Sequence, residues 1–283
     1  IVRSTIKNYR SLPSNYSQPQ SQHLIINNLH EENQSAYRKL SKTALLKVQN
    51  DVLQSLDLNN VTIMVLLDLS AAFNTIDQTN SSYRLEHHYG VTGKPLTWMA
   101  SYLNDGYQTV YIGGELSEPM LINSVPQGSV LGHKYYTMYT TPVGTICRNH
   151  GLNHHFYADD SQLYLSFKPT DCVKVSDALR RVEGCLNDIV SWMHTNMLKL
   201  KLKLYFFLPK TLKDTAQLSI HVGSATILPS RCASNLGAWL DSKMNMEKHV
   251  NSVCRSCYVQ LRQTGHIRQY LIIDSFINML LTF

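Results

Sequence analysis

The 283-residue chain reads as an α+β protein, a strand-rich sheet backed by at least one long helix. Three stretches predict this. Val61 to Leu67 is an unbroken apolar, β-rich run ending on Asp68, the pattern of a strand buried on both faces. His155 to Leu165 holds two alternating segments flanking Asp159 and Asp160, where a tight hairpin is expected to turn. From Val175 to Met197 the apolar Leu179, Val182, Leu186, Ile189, Val190 and Met193 recur at helical spacing and are expected to face the sheet as core, not as site.

The remaining elements follow in chain order. The first forty residues are rich in Ser, Asn, Gln and Tyr without periodicity and read as loop or weakly ordered chain. Thr43 to Leu56 carries Leu45, Leu46, Val48, Val52 and Leu53 at helical spacing, and Asn59-Asn60 breaks it before the apolar strand. Arg84 to Leu103 reads as helix interrupted between Gly90 and Gly93. Gln108 to Ile112 then reads as a strand ending at Gly113-Gly114, with a hairpin to follow. Val125 to Gly132 is a glycine-bearing loop, where backbone can approach a ligand closely, and it leads into an apolar helix through Met138. Glu247 to Arg268 reads as a last helix.

With 43% hydrophobic residues the chain can bury one large core or two modest ones, which excludes a disordered tail. The 26 basic against 20 acidic residues give a formal charge of +6, which suits a polyanionic partner without requiring one. No apolar stretch reaches the roughly 18–20 residues of a membrane span, so no membrane anchor is expected. The chain opens on Ile1 without a methionine and stops inside an apolar run, Ile272 to Phe283; both ends suggest a piece of something larger.

The six cysteines are scattered, which argues for a reducing compartment and free thiols. Cys254 and Cys257, with His249 and His266 nearby, have zinc-site spacing, but the same spacing is one turn of the expected helix and no second such pair exists. His87-His88 and His154-His155 also invite a metal reading; with no further ligands at metal spacing, surface or supporting roles are expected.

The carboxylates carry the chemistry. A charge at the end of a buried strand needs a partner, and two adjacent aspartates at a hairpin tip repel each other. A divalent cation removes both problems; a solvated turn is the plainer alternative for Asp159-Asp160 taken alone. What separates the two is the order: a strand ending in Asp68, a Pro126-Gln127-Gly128 loop, then an aromatic hairpin tipped by Asp159-Asp160.

In that order, Leu66-Leu67-Asp68-Leu69-Ser70-Ala71-Ala72-Phe73, Val125-Pro126-Gln127-Gly128-Ser129-Val130-Leu131-Gly132 and Phe156-Tyr157-Ala158-Asp159-Asp160 resemble the three central palm motifs of the reverse transcriptases of LINE-type (non-LTR) retrotransposons. The likeness covers most of the chain. Asn8-Tyr9-Arg10 and Gln34 to Arg38 resemble the fingers motifs, Asn187 to Leu200 the helix behind the palm, Asn235-Leu236-Gly237 with Asp241 the primer grip, and Gln260 to Tyr270 the start of the thumb. The resemblance implies a right-hand polymerase fold with an antiparallel palm sheet backed by helices. Partial fingers would span 1–60, palm with finger insertions 61–245, and a truncated start of the thumb 246–283.

It also implies an RNA-directed DNA polymerase in which Asp68, Asp159, Asp160 and the backbone carbonyl of Leu69 hold two Mg²⁺ ions. Phe73 would be the steric gate against a 2′-hydroxyl, or else plain core. Gln127 and Gly128 would line the nucleotide pocket, Arg38 would meet the triphosphate, and Leu236 and Gly237 would grip the primer. The implied partners are an RNA template, a DNA primer and deoxynucleoside triphosphates, with the nucleus as the implied place of work.

The chain departs from the family pattern at Asn74, Ser124 and His133, which border the motifs, and around Lys39 to Thr43, where it is shorter. In Lys199-Leu200-Lys201-Leu202-Lys203-Leu204-Tyr205, Leu204 aligns with a family lysine that serves the leaving group. Neighbouring side chains on a strand face opposite ways, so Lys203 is expected to point away from the site. Two other functions remain: a decayed relic that keeps the fold and binds RNA–DNA hybrid through its basic surface, and a two-metal nuclease or phosphotransferase using the same carboxylates, against which Pro126-Gln127-Gly128 and Phe73 argue.

Overall fold

The computed structural model describes residues 3–7, 27, 29, 31–35, 41–70, 78–103, 106–112, 115–122, 132–209, 219–230 and 232–270. Phe73, Gln127, Gly128 and Arg38 lie outside the described residues, as do Asn74 and Ser124. The core is an antiparallel sheet of four strands in the order β6-β7-β2-β8, with β2 Val61–Ser70, β6 Asn153–Tyr157, β7 Asp160–Phe167 and β8 Lys199–Phe207.

Period-two alternation decides what each face of the central strand buries. Val61, Ile63, Val65 and Leu67 enter one core with Leu163 and Leu165 of β7 and Leu204 and Phe206 of β8. That face is covered by α4 (Gly132–Asn149) and α5 (Cys172–Thr195). Met64 and Leu66 enter a second core with Tyr164, Tyr205 and Phe207, covered by Val48 and Val52 of α1 (Ser41–Asp57) and by Leu240. A side chain such as Ile63 or Leu67, with 0% and 1% of its surface exposed, contributes on the order of 1.5–3 kcal/mol by leaving water. The expectation of a strand buried on both faces holds until Asp68, which is exposed on the Met64 face.

Helix α5 starts where Asp171 accepts hydrogen bonds from the backbone N–H groups of Val173 and Lys174. Its buried stripe is Ala178, Val182, Cys185, Leu186, Ile189 and Met193. Val190 was expected in that stripe but is 36% exposed, because at about 100° per residue it falls one step round from Ile189. Leu179 packs at its margin.

The helical stretch after Arg84 divides as anticipated into α2 (Gln78–His87) and α3 (Gly93–Leu103), with Gly90 and Gly93 both at positive φ in the break. A second sheet pairs β3 (Gly106–Ile112) with β1 (Arg3–Lys7), β4 (Glu115–Leu116) and β5 (Met120–Ile122). So Arg3 to Lys7, expected as loop, is a strand, because its ladder partner Tyr107 to Tyr111 lies about a hundred residues away. Two short hairpins follow β8: β9 (Ile220–Val222) with β10 (Ala225–Ile227), and β11 (Cys232–Asn235) with β12 (Ala238–Asp241).

The final helix, α6 (Glu247–Ile267), carries Cys254 and Cys257 one turn apart and exposed, as plain helical spacing predicts. All six cysteines are free thiols. Among the described residues no helix is long and apolar enough to cross a membrane.

Candidate active site

The three aspartates arrive from two places and meet at one end of the sheet. Strand β2 pairs with β7 as far as Leu67 opposite Ser161. One residue beyond that pair stand Asp68 and Asp160, which line one cleft and whose carboxylates interact. Asp159 lies beside them in the two-residue turn, Ala158-Asp159, closed by the Tyr157–Asp160 pair. Ala158 has φ 55°, a left-handed conformation that costs an L-residue roughly 1–2 kcal/mol.

The tip is held by a strap the sequence did not reveal. Residues 31–35 run alongside β6: Ser35 N–H donates to Phe156 C=O (2.9 Å), and Phe156 N–H donates to Asn33 C=O (2.8 Å). Gln34 Oε1 accepts from Ala158 N–H at 3.2 Å, so the strained turn residue is tied directly to the strap. The strap itself is pinned by Glu31, whose carboxylate accepts from Arg148 Nη1 (2.8 and 3.0 Å) and from His154 Nε2 (2.9 Å). His155 Nε2 lies 2.9 Å from Ser35 Oγ. His154 and His155, expected at the surface or in support, are both buried and support the hairpin through these bonds.

Electrostatics tie the carboxylates into one site. Though solvent-reachable, the Asp160 carboxyl is partly desolvated, which raises its pKa; the Asp159 and Asp68 carboxylates raise it further, while Lys203 opposes them, and the net shift is upward. A cleft of about 130 Å³ is lined by Leu66, Leu67, Asp68, Asp160, Ser161, Lys203, Ser234 and Asn235. Lys203 therefore faces the site, contrary to the expectation from its alignment, and Leu204 is the residue turned away, 2% exposed in the core. The reason is register: Leu66 pairs with Lys203 and Val65 with Leu204, so Lys203 shares the Asp68 face.

Leu236 and Gly237 form the turn between β11 and β12, with φ 46° and 82°. Positive φ at both central residues is what a two-residue I′ hairpin demands. Asn235, just before that turn, accepts a 2.9 Å hydrogen bond from the fully buried Gln162 Nε2, two residues from Asp160. Ser234 and Asn235 line the cleft, so the Leu236-Gly237 turn follows directly on a cleft residue. Asn235 was singled out with the turn by its resemblance to the primer grip, but its bond to Gln162 carried no sequence signal beyond the alternation of β7, which puts Gln162 on the Asp160 face.

Among the described residues, no group of three or more His, Cys, Asp or Glu side chains encloses a metal position by itself. Magnesium does not need one, since it is commonly held by one or two carboxylates plus substrate phosphates and water. Hard, exposed carboxylate oxygens at Asp68, Asp159 and Asp160, with mutual repulsion felt at Asp160, suit such a cation. The backbone of Leu69 continues β2 one residue past Asp68, opposite Leu200.

A right-handed polymerase fold, with its carboxylates at the end of an antiparallel sheet, is the class that this arrangement defines. The family model for reverse transcriptase (RNA-dependent DNA polymerase) matches residues 3–220, and the chain belongs to that family. A curated relative, the probable RNA-directed DNA polymerase from transposon BS of Drosophila melanogaster, is 24% identical over 231 residues, covering 77% of this chain and 24% of the relative. The chain thus spans about a quarter of that relative's length. Among solved structures, apo telomerase from Candida tropicalis, truncated from its C-terminal domain, superimposes with a TM-score of 0.55 at 14% identity, over 83% of this chain and 44% of the other. That likeness concerns the fold.

Proposed function

We propose that this chain is the polymerase part of a LINE-type retrotransposon protein and extends a DNA primer on an RNA template. The observation that carries the reading is the meeting of Asp68 with Asp159-Asp160, from a central strand and an adjacent hairpin, at an open cleft. Asp68, Asp159, Asp160 and the Leu69 carbonyl would hold two Mg²⁺ ions, which when bound would supply activation of the primer 3′-hydroxyl and charge neutralisation at the triphosphate and its leaving pyrophosphate.

The chain's own groups align the reactants. Lys203 adds a cation at the cleft wall, and the Leu236-Gly237 turn positions the primer end against Asp160 through Asn235 and Gln162. Phe73 is assigned as the ring that excludes a 2′-hydroxyl, Gln127 and Gly128 as the nucleotide pocket, and Arg38 as a triphosphate contact. Residues 1–60 act as partial fingers, 61–245 as palm with finger insertions, and 246–283 as the start of the thumb. The partners are RNA template, DNA primer and deoxynucleoside triphosphates.

Primer extension on poly(rA) with oligo(dT) and Mg²⁺ tests this, comparing the chain with Asp159→Asn. Extension is expected in the first and absent in the second. Hybrid binding without extension by either would instead identify a relic that keeps the fold and the nucleic-acid surface.

A further inference from the structure

We infer that Lys199, Lys201 and Lys203 form a phosphate track that seats the sugar–phosphate backbone of the bound RNA–DNA hybrid beside Asp68; this rests on the polymerase reading above. The alternation Lys199-Leu200-Lys201-Leu202-Lys203-Leu204 makes β8 an amphipathic strand with one charged and one apolar side. Its register fixes which side is which. Lys199 pairs with Ser70, Lys201 with Asp68 and Lys203 with Leu66, so all three lysines share the Asp68 face. Leu200 and Leu202 pack against the opposite core and Leu204 is buried in it. A one-residue slip would bury three ammonium groups and expose three leucines, so the placement is strongly specified.

The lysines are solvent-exposed, and among the described residues none of them takes part in an ion pair. Lys201 stands opposite Asp68 in the ladder, and the charge of Lys203 is felt at Asp160. From Lys199 to Lys203 the strand rises about 13 Å at roughly 3.3 Å per residue. That is longer than one triphosphate, and it suits several successive phosphates of a nucleic-acid strand running past the aspartates. Among the described residues strand β8 ends the sheet order, its outer edge met at Leu204 C=O by Ser230 N–H (2.8 Å) and not by a fifth sheet strand. Lysines on an edge strand also discourage edge-to-edge aggregation, which is the competing explanation that the test must separate.

The test is fluorescence anisotropy of a labelled RNA–DNA hybrid across a series of KCl concentrations, with the intact chain, Lys199→Ala/Lys201→Ala and Lys199→Arg/Lys201→Arg. Each phosphate neutralised contributes roughly 0.7–0.9 to the slope of log K against log salt. The alanine pair is therefore expected to lower that slope by about 1.4–1.8, and the arginine pair to keep it. An unchanged slope in the alanine pair overturns the track; increased aggregation in that variant would then assign the lysines to edge protection. Inorganic pyrophosphate is the competing probe. If the alanine pair loses only pyrophosphate competition and keeps its hybrid slope, the lysines serve the leaving group and the track is overturned. Failure of the intact chain to bind hybrid at all would instead sink the polymerase reading itself.

Discussion

Replacing Glu31 by alanine is expected to loosen the hairpin that carries Asp159 and to cost about 2–4 kcal/mol. The largest part is the hydrogen bond to His154, since the His154 and Glu31 side chains are only 2% and 3% exposed; a bond to a charged group inside a protein is worth about 1.5–3 kcal/mol. Arg148 is half exposed, so its pair adds only the few tenths to about 1 kcal/mol typical of surface ion pairs. With roughly 2–4 °C per kcal/mol for chains near this size, thermal unfolding at pH 7 should fall by about 4–16 °C.

The pH dependence follows from the same contacts. Burial raises the Glu31 pKa, but hydrogen bonds from His154 and Arg148, and then their charges, outweigh it and bring it below the ordinary 4.5. A group with a depressed folded pKa contributes stability above its unfolded pKa and loses it as pH falls through the folded value. The gap between the native chain and Glu31→Ala should thus be full at pH 7 and close on acidification below about pH 4.5.

A second substitution sharpens the test. A Cβ on Gly144 of α4 would sit 2.6 Å from Glu31 Cδ, so Gly144→Ala must displace the pinned carboxylate. Alone it should destabilise by about 1–2 kcal/mol, yet in the Glu31→Ala background it should gain up to about 1 kcal/mol, because alanine is the better helix former. A Glu31→Ala effect that is negligible at pH 7, or a Gly144→Ala effect of the same sign in both backgrounds, would refute the strap as described.

Further outcomes are expected elsewhere. Ala158→Gly, at φ 55°, should stabilise by up to about 1 kcal/mol in urea unfolding, since glycine escapes the left-handed penalty; a loss would show that the turn is not strained. Leu204→Ala should cost about 2–5 kcal/mol as a buried leucine deletion, whereas Lys203→Ala should leave the urea midpoint nearly unmoved; the reverse ranking would mean a slipped register. Thr62→Val should cost about 1 kcal/mol, because the buried Thr62 hydroxyl bonds Ser55 of α1 (3.1 Å) and Ser166 on the neighbouring strand β7 (2.8 Å); a neutral result would mean those bonds are not formed in solution.

Residues whose role depends on near neighbours were legible in the sequence. The apolar run before Asp68, the alternation around Asp159-Asp160 and the stripe of α5 each announce their element, because side-chain periodicity is a local property of the backbone. The strap at 31–35 was not legible. Its residues are polar and aperiodic, and they acquire order from bonds to Phe156 and Ala158 more than a hundred residues on. Strand β1 was missed for the same reason, its partner being β3. Lys203 was misread because alignment to a family pattern assigns a position, while the facing of a side chain is set by register.

By itself, then, the sequence determined that there is a buried central strand ending in a carboxylate, a hairpin tipped by two more, a covering helix, and an ordered motif set that resembles reverse transcriptases. Tertiary structure alone decided that Asp68 and Asp160 stand side by side, that Lys203 rather than position 204 faces them, and that Gln162 and Asn235 join the cleft to the turn at Leu236-Gly237. The physical reason is that strand pairing and buried hydrogen bonds join residues far apart in the chain. Which partner each backbone or amide group finds is decided by the global packing that excludes water from the alternatives.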